Sequence, residues 1–200
     1  MRYSVRTNWW GRWIDDNQIW VYCETGGGSF TEAGCLVSLD SGEYACREEV
    51  DGLVAVSPDG ERIILGADTE FIGDHYYYIT DVGCLTDEAA CQELGRIEQM
   101  VAGLGSVFVW NHTGSEIAYS TAWSNDNTNF HTILALVDGD DYTLRVVVQG
   151  IPGGRYVSGF SPDDQWVLLD GDGKVTWVSV ATGYLHQIAD ARFLGWYIVP

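Results

Sequence analysis

Chemistry in this 200-residue chain has few places to reside: five cysteines, four histidines and short clusters of aspartate. Asp170-Gly171-Asp172-Gly173 has the carboxylate spacing that opens a calcium loop, but no bidentate glutamate follows at the required distance. The run fits a tight hairpin better. Asp138, Asp140 and Asp141 likewise read as turn residues, with a weak surface cation site as the lesser alternative. Cys23, Cys35 and Cys46 supply three thiols, yet their spacing matches no C-x-x-C zinc pattern and no histidine is close in sequence. His75, His112, His131 and His186 fall at strand ends or turns, where surface hydrogen bonding is the expected role. There is no G-x-S-x-G elbow, no H-E-x-x-H, no G-x-x-x-x-G-K-[ST] and no G-x-G-x-x-G between strand and helix. The expectation is a chain with no catalytic residue, no metal and no cofactor.

The elements that hold these residues repeat. Val54 to Asp68, V-A-V-S-P-D-G-E-R-I-I-L-G-A-D, reads as strand, tight turn, strand: Pro58 presets φ, Asp59 caps its own backbone and Gly60 takes a conformation that side chains resist. Altered copies occur at Val109–Tyr119, at Gly159–Leu169, where Asp164 replaces the glycine, and more weakly at Arg12–Val21. Anchors at positions 13, 57, 111 and 161 lie 44, 54 and 50 residues apart. Each copy is followed by a third strand ending in a hairpin signal, at 36–42, 77–83, 134–139 and 177–183, and then by a fourth strand. That period is the one expected of four-stranded propeller blades.

S-P-D-G-E-R-I-I-L and S-P-D-D-Q-W-V-L-L, each followed by a D-x-G or A-T-G hairpin, resemble the repeats of TolB-like β-propellers, relatives of WD-repeat propellers, of the bacterial secreted type. The resemblance covers nearly the whole chain. Asn111-His112-Thr113-Gly114 departs from it by lacking the Pro-Asp pair, and the first copy has Ile14-Asp15-Asp16 instead. The expected fold is all-β: one propeller domain over residues 1–200 with about four four-stranded antiparallel blades, at 8–50, 51–103, 104–152 and 153–191. Residues 192–200 are expected to start a further inner strand, and the ring to be incomplete or closed in an unusual way. The fold says little about function, since such propellers serve both as binding platforms and as accessory domains of hydrolases.

Cys84 and Cys91 bracket L-T-D-E-A-A, an insertion where the other periods have a short hairpin. A disulfide closing this loop is expected, worth about 2 kcal/mol or somewhat more; some secreted TolB-like proteins look similar here. Among Cys23, Cys35 and Cys46 only two can pair. Cys23 with Cys35 would clamp the loop at 24–34, and Cys35 with Cys46 would cross the next hairpin; both pairings remain open at this level. Cysteines in this number point to an oxidising compartment, extracellular or periplasmic, with an export signal outside the sequence given.

A formal net charge of −19 repels phosphate backbones and anionic membrane surfaces, so nucleic acid is a poor partner. No apolar run approaches the ~20 residues of a membrane helix. What remains for function is the loops between second and third strands, at 24–34, 67–75 and 121–131, which exceed hairpin length. Phe71, Asp74, His75, Trp123, Asn125, Asp126, Asn129, Phe130 and His131 are therefore expected to form one concave patch opposite the S-P-D-G turns. The alternative is that its aromatics fold back over sheet edges. Two functions follow: a non-enzymatic recognition or scaffold module for a protein, peptide or glycan, able to self-associate through open ring edges, or the propeller part of a larger peptidase-type hydrolase.

Overall fold

The turn motif is built by side chains that complete the backbone. The computed structural model describes residues 11–23, 33–47, 52–68, 75–98, 100, 106–124 and 129–189. The buried Ser57 hydroxyl accepts the backbone N–H of Arg62 at 2.9 Å and donates to the Asp59 carboxylate at 2.5 Å, which itself accepts from the Glu61 N–H at 3.1 Å. Ser161 and Asp163 repeat the arrangement with Trp166 and Gln165 at 3.0 and 3.2 Å. Asn111 performs the serine's task with an amide oxygen, accepting from the Glu116 N–H at 3.1 Å. In the first repeat the Ile14 N–H donates to the Gln18 carbonyl, as Ser57 does to Arg62, so Ile14 rather than Trp13 is the equivalent of Ser57. The left-handed position of the turn is held by Gly60 and Gly114, both at φ 73°, and by Asp164 at φ 56°.

Asp59 and Asp163 are both held below the usual carboxylate range, first by the serine hydroxyl and then by the backbone N–H two residues on. A carboxylate whose pKa is lower folded than unfolded stabilises at neutral pH and loses that contribution as pH falls through and below about 4. Asp163→Asn is expected to be less stable than the parent at pH 7, with the gap narrowing at pH 3. Urea unfolding at the two pH values checks this, and an unchanged gap would remove the titration argument.

Strands extend from these turns into four antiparallel sheets. The first holds β1 (Arg12–Trp13), β2 (Gln18–Cys23), β3 (Ala33–Ser38) and β4 (Tyr44–Arg47), in that order. The second holds β5 (Gly52–Val56), β6 (Arg62–Asp68), β7 (His75–Asp81) and β8 (Gly95–Glu98). The third holds β9 (Ser106–Trp110), β10 (Glu116–Ser124), β11 (Phe130–Asp138) and β12 (Leu144–Pro152). The fourth holds β13 (Tyr156–Phe160), β14 (Trp166–Gly171), β15 (Lys174–Ser179) and β16 (Leu185–Ala189). Asp172 and Gly173, at φ 54° and 66°, form the two-residue turn between β14 and β15, a tight hairpin rather than a cation loop. The Asp138 carboxylate accepts from the N–H groups of Asp140 and Asp141, again as turn chemistry. Residues 192–200 lie outside the described residues.

The chain divides into two compact units, 1–98 and 99–200, with two sheets in each. Apolar residues on alternate strand positions form the core of each. In the first unit Ile14, Trp20, Leu53, Ile63, Leu65 and Leu85 cluster; in the second Ala118, Leu134, Leu136, Val157, Phe160 and Val167 do. Polar links tie the sheets of the second unit. The Ser120 hydroxyl accepts the Val157 N–H at 2.8 Å, and the Thr132 hydroxyl accepts the Arg155 N–H at 2.8 Å. Their turns also meet: His112 Nδ1 lies 2.6 Å from Asp164 Oδ1, which also accepts the His112 backbone N–H at 3.2 Å.

Cys35 and Cys46 face each other in the β3–β4 register and are bonded, which settles the pairing in favour of the second alternative. Cys84 and Cys91 are bonded as well. Their loop folds into two 3₁₀ turns, Val82–Leu85 and Glu88–Ala90, each started by an aspartate: Asp81 accepts from the Gly83 N–H and Asp87 from the Ala89 N–H. Arg47 reaches this loop from β4, donating to the Cys84 carbonyl, with Nη1 2.9 Å from Cys91 Sγ. Peptide mass mapping without reductant is expected to recover both pairs joined. Recovery of Cys84 and Cys91 as free alkylated thiols would contradict the assignment.

Candidate functional site

Strands β10 and β11 are nine residues each, and they pair from Glu116↔Asp138 to Ser124↔Phe130. The segment expected as a long loop over 121–131 is therefore mostly strand, and Trp123, Phe130 and His131 lie in a sheet. The reason is burial: Thr121 and Ala122 on β10 and Thr132 and Ile133 on β11 are all buried, so pairing extends beyond the turn-like composition of the segment. Trp123 and His131 are register partners with ring centroids 5.4 Å apart and planes tilted by 34°. The imidazole thus fixes one side of a half-buried indole.

Ile133 follows His131 on the same face of β11. Opposite it, β12 is irregular: Leu134 pairs with Val148 and Thr132 with Ile151, so Gln149 and Gly150 together oppose Ile133. This is a β-bulge, with Gly150 in the left-handed region at φ 78°. Bending β12 away opens a groove of about 440 Å³ lined by Trp123, Ile133, Gln149 and Gly150. Among the described residues its lining is an indole, an aliphatic wall and one exposed amide, none of them ionisable. Such a surface can stack a flat or ring-shaped apolar face and hydrogen-bond its edge.

The other expected site residues fare unevenly. Phe130 is half-buried, and its carbonyl accepts the Gly153 N–H at 2.8 Å, so its backbone anchors the return from β12 towards β13. Asn129 is exposed, just before β11. The His75 backbone opens β7, while its side chain, together with Phe71, Asp74, Asn125 and Asp126, lies outside the described residues. Gln149 and Gly150 were not among the expected site residues. The available signal was an isolated glycine inside V-V-V-Q-G-I-P, a mark of a bulge. Among the described residues no group of three or more His, Cys, Asp or Glu could hold a metal ion, and no helix is long and apolar enough to cross a membrane.

No known protein family and no curated protein matches the chain in sequence. Solved structures do match in fold. Putative TolB from Agrobacterium tumefaciens aligns with a TM-score of 0.57 at 18% identity, over 90% of this chain and 61% of that one. Oligogalacturonate lyase from Vibrio parahaemolyticus gives 0.61 at 16% identity, over 89% and 50%. Prolyl oligopeptidase B from Galerina marginata gives 0.56 at 10% identity, over 93% and 30%. With four four-stranded antiparallel sheets, this chain has the β-propeller fold of TolB-like proteins, and it spans from under a third to about three fifths of the length of these structures.

Proposed function

We propose that the chain is a non-catalytic recognition module whose ligand, a peptide or a glycan, lies in the groove between Trp123 and the β12 bulge. The observation that carries this reading is the groove itself. An indole stands half-exposed beside an exposed amide, and a left-handed glycine keeps the opposite wall low. The two disulfides support an oxidising location, extracellular or periplasmic. Probing immobilised glycan and peptide libraries with the parent chain and with Trp123→Ala tests the reading. A ligand held by the parent should bind the variant more than about tenfold more weakly, the loss of a hot spot worth ~1.4 kcal/mol or more, with the unfolding midpoint nearly unchanged. A variant that melts several degrees earlier and binds as before would make Trp123 a packing residue.

The second reading, the propeller part of a larger peptidase-type hydrolase, draws on the likeness to prolyl oligopeptidase B, of which the chain covers 30%. The length of the intact reading frame separates the two. A continuous hydrolase domain favours the second.

A further inference from the structure

We propose that the first unit carries a separate docking site for a basic segment of a partner protein, in the groove between the first turns of its two sheets. There a lysine or arginine side chain lies on Trp13 and reaches Asp15 and Asp16. This site is in a different unit from the Trp123 groove and does not rest on the reading above.

The groove measures about 490 Å³ and is lined by Trp13, Ile14, Asp15, Asp16, Val56 and Pro58. Trp13 is 60% exposed, although indole is the side chain whose face attracts cations most strongly. Asp15 is held in place because its Oδ1 accepts the N–H groups of Asn17 and Gln18, both at 2.7 Å. Asp16 is exposed and, among the described residues, forms no ion pair. Carboxylates and an open aromatic face therefore flank one opening.

The chain itself shows what such a junction accepts. In the second unit the residue that follows Asn111 is His112, and its ring rests on Asp164, the left-handed residue of the next turn. In the first unit the corresponding residues are Asp15, which follows Ile14, and Gly60. A Cβ on Gly60 would stand 3.0 Å from the Ile14 carbonyl oxygen and 3.8 Å from the Asp15 Cβ, so the two turns abut in the same way. A base and an acid close one junction; at the other an acid meets a glycine, and among the described residues no hydrogen bond or ion pair between side chains crosses it. The missing complement is a cation, and a chain of net charge −19 draws cations towards it. An exposed indole selects a cation carried on an apolar stem over a bare ion.

Fluorescence anisotropy with labelled hexalysine, at about 50 and 200 mM salt, tests the site. The control substitution is Asp140→Asn, an exposed position in the other unit with the same change of charge. Trp13→Ala and Asp16→Asn should each weaken binding by about tenfold, whereas Asp140→Asn and Trp123→Ala should change it less than about twofold. Equal effects of Asp16→Asn and Asp140→Asn, with Trp13→Ala silent, would show attraction to the overall charge and overturn the proposal. So would the absence of saturable binding by the parent chain. Trp13 is largely exposed, so its removal is expected to leave the unfolding midpoint in place.

Discussion

Adding one methyl group at Gly34 is expected to lower the unfolding midpoint of the first unit by about 10 °C or more. A Cβ there would fall 1.8 Å from Cζ2, 2.3 Å from Cε2 and 2.7 Å from Cη2 of Trp20. Trp20 is fully buried and clusters with Leu53, Ile63 and Leu65, so its ring has no room to retreat without moving the core between the two sheets. Overpacking of this kind costs about 1–3 kcal/mol or more, and each kcal/mol is worth roughly 4–8 °C in a unit of this size. Gly42→Ala is the control. It too disturbs a β3–β4 glycine, at φ 68°, but an added Cβ meets nothing within 4 Å, leaving only a backbone cost of about 1–2 kcal/mol. Thermal unfolding followed by tryptophan fluorescence compares the two, and a Gly34→Ala midpoint equal to or above that of Gly42→Ala would refute the packing argument.

Replacing Arg155 by methionine is expected to stabilise the second unit by about 1–4 kcal/mol, against the usual direction of core substitutions. Arg155 is fully buried; its Nη1 donates to the Thr176 hydroxyl, while among the described residues its Nε has no hydrogen-bond partner. Among the described residues no carboxylate lies within ion-pair distance of the guanidinium, and burial pushes its pKa down, opposed only in part by Asp172. A buried charge so poorly paired costs several kcal/mol in desolvation, which an apolar side chain of similar length avoids. Arg155→Ala removes the same charge but leaves a cavity, so it should be less stable than Arg155→Met. Urea unfolding of the three proteins decides the matter. If Arg155→Met proves less stable than the parent by about 2 kcal/mol, the guanidinium has a native counter-charge.

Much of the fold was legible because its signals are local. Each turn is closed by bonds between residues at most five apart, as from Ser57 to Arg62 or Asn111 to Glu116, so S-P-D-G and its variants announce themselves without knowledge of the rest. Even here the repeat spacing sets Trp13 against Ser57 where the hydrogen bonds set Ile14, because the first turn is one residue shorter. The Cys84–Cys91 loop was legible for the same reason, being closed over a separation of seven.

The site was less legible because its parts meet only through strand register. T-A-W-S-N-D-N-T-N-F-H has the composition of a loop, and only burial against neighbouring strands turns its two ends into β10 and β11. The choice of Cys46 as partner for Cys35 likewise follows from β3–β4 register rather than spacing. Gln149 enters the groove because a bulge in β12 sets two residues against Ile133 of a different strand.

The sequence by itself determined the repeat, the strand–turn–strand unit and the acidity of the surface, since composition and turn chemistry act within a few residues. Tertiary structure alone decided that His112 meets Asp164, 52 residues away, that Asp15 meets Gly60 instead, and that Arg155 is buried against the Thr176 hydroxyl. Those contacts depend on how neighbouring sheets pack, and packing distance is not written in any short stretch of chain.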